Sequence, residues 1–161
     1  MFDPTAFDNM KVVAEGLFYD LDLNGVISIK ERNDIIDLAR LSRKYSLSFS
    51  LKERSNILAT FRLYARLEQL SAELLANGAA EQRGAFLEVV YSGSEQDVTK
   101  ERIRKWKAAW GQPRMFETRN IDSSLSGKSC ELVVRFERLI TEDMMDDLQQ
   151  LIEFFVATLQ D

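Results

Sequence analysis

The chain has 161 residues, of which 45% are apolar and 29% charged, with seven glycines, two prolines and a net charge of −5. This is globular usage, long enough to bury one core, and no stretch approaches the ~20 apolar residues of a membrane helix. Histidine is absent, which removes the usual general base, the usual zinc ligand and the middle member of Ser-His-Asp and Cys-His arrangements.

One domain covering residues 1–161 is expected. The single Cys130 sits in the apolar run 130–134, where a buried thiol is predicted rather than a reactive one. With no basic segment leading into an apolar stretch near the start, a cytoplasmic location without membrane contact is expected.

Lys11 to Tyr19 is β-branched and aromatic, with Gly16 in the middle, where a helix loses ~1 kcal/mol against alanine, so a strand is predicted. The next twelve residues carry oxygen donors at regular spacing: Asp20, Asp22, Asn24, the Val26 carbonyl, Ser28 or its water, and Glu31, with Gly25 supplying a sharp turn. This stretch resembles the calcium loop of an EF-hand, and the resemblance implies calcium as ligand. A competing signal lies in the same residues, because Asn24-Gly25 between Leu23 and Val26 is also the mark of a type I′ β-hairpin. An extended approach and the lack of a second copy of the motif favour the hairpin. The calcium loop is the alternative.

Residues 33–44 read equally as strand or helix. Tyr45 to Leu51 alternates large apolar residues with serine and predicts a half-buried strand. Ser50 and Glu53 have capping-box spacing, opening a predicted helix of about 26 residues, ~39 Å long, that closes at Asn77-Gly78. Gly84 to Tyr91 reads as a buried strand. A helix from Val98 to Trp110 follows, capped by Asp97 and stopped by Gly111 and Pro113. Met115 to Ile121 and Glu131 to Leu139 form a predicted strand pair across a serine-rich turn. The final helix is capped by Thr141 and repeats Leu148, Leu151, Ile152, Phe155, Val156 and Leu159 at three and four. This order predicts an α+β two-layer sandwich, a mostly antiparallel sheet with three helices.

Four features bear on function. Ser126-Gly127-Lys128-Ser129 ends like a phosphate-binding loop, but the earlier glycine is missing and a strand follows, so a polar hairpin loop is predicted. Residues 100–119 are net +5 against −10 for the rest, with Trp106 and Trp110 among them. The tryptophans fall on one helical face with Ile103 and read as core anchors flanked by exposed Arg104 and Lys107. With a pI near 4.9, most of the surface opposes a nucleic-acid partner, and an acidic protein surface is the more economical one. Carboxylates such as Glu15, Asp20, Asp22 and Glu88 could serve an enzyme only if they met in a cleft.

Phe154 lies about 200° around the last helix from Ile152, beside Asp147 and Gln150, while Phe155 fills the core stripe. A large aromatic on a polar face marks a contact, with a neighbouring element or a second subunit. The expected function is therefore a non-enzymatic protein-binding or assembly module, self-associating as a homo-oligomer or holding another protein, and using no cofactor.

Overall fold

The computed structural model describes residues 6–74 and 83–160. Helix α1 (Ala6–Leu23) occupies the region where an extended arm was expected. Periodicity decides the matter: Phe7, Met10, Ala14 and Phe18 recur at three and four residues and all are buried. Burying a large apolar side chain is worth ~1.5–3 kcal/mol, which outweighs the lower helix propensity of Val12, Val13 and Gly16.

The helix closes through the residues that suggested a hairpin. Gly25 takes φ +77°, the Val26 amide donates to the Leu21 carbonyl at 3.0 Å, and the Gly25 amide donates to the Asp22 carbonyl at 3.0 Å. This is a Schellman closure, with Leu21 and Val26 packed on the core beside it. The corner thus joins a helix to strand β1 (Ile27–Asp37). Neither the predicted hairpin nor the pair of helices that frames an EF-hand loop is present.

Residues 33–44 resolve as strand, turn and strand, with β1 running antiparallel to β2 (Ser42–Leu51). The long predicted helix is also corrected. Ser50 lies within β2, and strand β3 (Leu58–Ala65) follows, its Ala59, Phe61, Leu63 and Ala65 buried at period two. Among the described residues of that stretch only α2 (Leu67–Leu74) is helical, and the expected stop at Asn77-Gly78 lies outside the described residues.

Strand β4 (Phe86–Ser94) and helix α3 (Lys100–Trp110) match the expected elements. Thr99 rather than Asp97 caps α3, its hydroxyl accepting from the Arg102 amide, while Asp97 accepts from Asn56 and Ser94. Strands β5 (Met115–Ser123) and β6 (Gly127–Arg135) enclose the polar turn, and the 126–129 segment forms part of that hairpin. Thr141 precedes a single 3-10 turn (Glu142–Met144), with no hydrogen bond from its side chain, before α4 (Met145–Leu159).

The fold is α+β, with four α-helices among the described residues where three were expected. One six-stranded antiparallel sheet runs in the order β1-β2-β3-β4-β6-β5. Its inward residues meet Phe7, Phe18, Ile103, Trp106, Ile152 and Phe155 of the helices in a single core. Phe18 and Phe49 stand 5.1 Å apart by ring centroid, Phe49 and Phe155 5.4 Å, Tyr91 and Phe155 5.3 Å. Such tilted and edge-on pairs add to burial alone.

The residues alternating with these carry a chain of ion pairs across the other face. Arg62 contacts Glu88 at 2.9 Å, Glu88 meets Arg135 at 3.3 Å, Arg135 meets Glu117 at 3.1 Å and Glu117 meets Arg119 at 3.1 Å. No helix among the described residues is long and apolar enough to cross a membrane.

Candidate functional site

At the end of the molecule where α3, β6 and α4 finish or begin, a cavity of about 400 Å³ opens beside Phe154. Gly111, at φ +65°, ends α3 and lets the chain turn through Pro113 to Arg114. On the other side, β6 runs out at Phe136, whose amide donates to the Leu87 carbonyl. Ala85 and Ile140 then exchange two backbone hydrogen bonds of 2.9 and 2.8 Å. Gly84 makes that approach feasible, since a Cβ there would stand 2.2 Å from the Ile140 carbonyl oxygen.

Trp110 forms the back wall. Its ring meets Phe154 edge-on at 4.7 Å and Phe136 edge-on at 5.6 Å. Leu148, Leu151 and Ile140 extend the apolar lining. Trp110 is held by a directional relay: its Nε1–H donates to Tyr91 Oη at 2.8 Å, and Tyr91 Oη lies 2.6 Å from Thr158 Oγ1. Thr158 in turn donates to the Phe155 carbonyl at 2.6 Å. Since Thr158 uses its proton there, the Tyr91 hydroxyl donates to Thr158, and each group in the relay has a partner. Burial pushes the Tyr91 hydroxyl up to about 12, against the lowering effect of its bonds to Thr158 and Trp110.

Two arginines complete the rim. Arg114 lies over the Phe136 ring at 4.2 Å, and its Nε is buried without a hydrogen-bond partner. Burial, reinforced by the charge of Arg138, presses its pKa below the usual arginine range. Among the described residues neither Arg114 nor Arg138 enters an ion pair. Asp147 and Gln150 line the cavity from α4.

Phe154, Asp147 and Gln150, which their spacing places on one face of the last helix, all line this cavity. The tertiary neighbour of Phe154 is Trp110. Arg104 and Lys107 are exposed on α3 and do not line the cavity. Trp106 is a core anchor, stacked on Tyr91 and donating to the Thr158 carbonyl. Sequence reasoning missed Arg138 and Phe136, which lie at the end of a strand whose neighbours only the sheet order reveals.

The residues of the calcium-loop reading lie on a helix–strand corner. Asp22 accepts from the Ile29 amide at 2.9 Å, Asp20 and Asn24 are exposed, Val26 is in the Schellman closure, Ser28 pairs in register with Ser50, and Glu31 with Ser48. Among the described residues no three His, Cys, Asp or Glu side chains come together in a metal-holding group. Glu15 accepts from Tyr45 beside α1, whereas Glu88 lies in the ion-pair chain across the sheet, so these carboxylates share no cleft. A second hollow of about 550 Å³ near Arg40, Lys44 and Arg66 includes Arg43, whose charge is taken by Asp8 and Asp34.

Comparison with known family models, with curated proteins and with solved structures returns no match to this chain.

Proposed function

We propose that the protein is a non-enzymatic protein-binding or assembly module of the cytoplasm, docking its partner at the cavity between α3 and α4. The observation that carries this reading is Phe154, 40% exposed at the mouth of an aromatic-walled hollow while its neighbour Phe155 is fully buried. Interfaces concentrate their energy in such aromatic anchors beside pockets, with polar residues at the rim. Asp147 and Gln150 supply that rim.

Placing a photo-crosslinking phenylalanine derivative at Gln150, and separately at the remote exposed Leu125, tests the reading in the producing cells. A defined adduct from position 150, absent from position 125 and lost with Phe154→Glu, supports it, whether the adduct is a second copy or another protein. Equal or absent crosslinking at the two positions refutes it. Light scattering of the purified chain then separates self-association from capture of a different partner.

A further inference from the structure

Building on the docking reading, we propose that the cavity receives a partner-protein segment in which a large apolar side chain stands next to a carboxylate. The apolar group rests against Trp110 and Phe154, and the carboxylate pairs with Arg114 and Arg138.

Charge complementarity identifies the occupant. Arg114 and Arg138 both line the cavity, and among the described residues neither has an ion-pair partner. A carboxylate meets the fork of a guanidinium with two hydrogen bonds. Arg138 lies close enough to depress Arg114 by its charge, so an anion between the two relieves their repulsion. One negative charge suits the place better than two, because Asp147 also lines the cavity and the whole chain is net −5. This disfavours phosphate.

Size and shape then favour a segment over a free acid. A cavity of about 400 Å³ is large for one side chain, and Phe154, Asp147 and Gln150 extend its lining along exposed α4. An apolar anchor fills the aromatic wall while the adjoining peptide backbone meets the polar rim.

The test uses the whole, isotopically labelled protein and follows the Trp110 Nε1–H and Arg114 Nε–H resonances. The probes are acetylated, amidated ten-residue peptides, otherwise uncharged, with one Phe or Leu next to one Asp or Glu. Controls are the same peptides with Asn and Gln for the acids, the same peptides with Ser for the apolar residue, 3-phenylpropionate and inorganic phosphate. The expected result is that the acidic apolar peptides move both resonances and bind at least about tenfold tighter than every control. Arg138→Gln, on an exposed side chain, weakens them about tenfold at unchanged melting temperature, and Arg114→Gln does the same if folded.

The proposal is overturned if no peptide moves the resonances, if 3-phenylpropionate or phosphate binds as tightly, or if Arg138→Gln has no effect. Equal binding of the amide peptides, lost with Phe154→Glu, would remove the carboxylate and leave the docking reading standing. Failure of the crosslinking at position 150 would remove the docking reading itself.

Discussion

Tyr91 and Trp106 lie face to face, their ring centroids 4.0 Å apart and their planes within 11°. The stack joins the middle of the sheet to α3, and the Tyr91 hydroxyl extends the connection to Trp110 and Thr158. The aromatic wall of the cavity is thus fixed to the deepest part of the core.

Tyr91→Phe keeps the stack and deletes the link. Trp110 Nε1–H then loses its acceptor and Thr158 its donor, at an expected cost of about 1–3 kcal/mol in urea unfolding. Because burial raises the folded tyrosine to about 12, its contribution is whole below pH ~10 and is lost as pH rises through 12. The variant should lack that alkaline step. An unchanged midpoint at neutral pH would contradict the relay.

At the opposite end of the sheet, the Arg43 hydrogen bonds, followed by that of Lys11, hold Asp34 at about 2. A depressed carboxylate contributes stability that is full above pH ~4 and is lost as pH falls through 2. The group is partly exposed, so solvent screening limits the contribution to about 1 kcal/mol. Asp34→Asn is expected to be less stable at pH 6 and to lose less between pH 4 and 2. Parallel acid titrations of the two proteins, followed by circular dichroism, test this.

Gly84→Ala places a methyl group on the Ile140 carbonyl. Relief requires the Ala85–Ile140 bridge to open, which moves the 137–140 segment of the cavity. A loss of about 3 kcal/mol, the upper part of the overpacking range, is expected in thermal unfolding. Gly16→Ala is the contrast: nothing lies within 4 Å of a Cβ there, and the helix should gain about 0.5–1 kcal/mol.

Glu88→Gln breaks the ion-pair chain at its most buried acid, leaving Arg62 and Arg135 without their shared partner. A cost of about 2 kcal/mol is expected at low salt, less than for a fully buried pair because both arginines reach water. The difference from the wild type should shrink in 1 M salt. Denaturation at two ionic strengths is sufficient to check it.

Much of the second half was legible because its elements carry one signal each. The run of β4, the face of α3 with Trp106 and the stripe of α4 match the patterns that predicted them, and the β5–β6 pair is present with its second strand at Gly127–Arg135, four residues earlier than expected. The first half was misread where two signals competed. Val12, Val13, Phe18 and Tyr19 suggest a strand by type, but Phe7, Met10, Ala14 and Phe18 are helical by position, and burial follows position. Asn24-Gly25 did mark a residue at positive φ. A type I′ turn and a helix closure ask for the same backbone there, so the dipeptide alone cannot separate them. The alternation of Ala59, Phe61, Leu63 and Ala65 was present too, obscured by the lack of proline and glycine in the surrounding run. At the site, Phe154 with Asp147 and Gln150 was readable from one helix. Phe136 and Arg138 became visible only with the strand order that brings the end of β6 beside α3 and α4.

The alternation Arg62–Glu88–Arg135–Glu117–Arg119 has a consequence for how molecules of this protein meet. Two sheets laid on each other in matching orientation and register would set arginine over arginine and glutamate over glutamate, while a shifted contact would have to strip water from every charge in the array. At high concentration this surface should stay hydrated and slide past its own kind, leaving the ends and edges of the molecule as its points of adhesion.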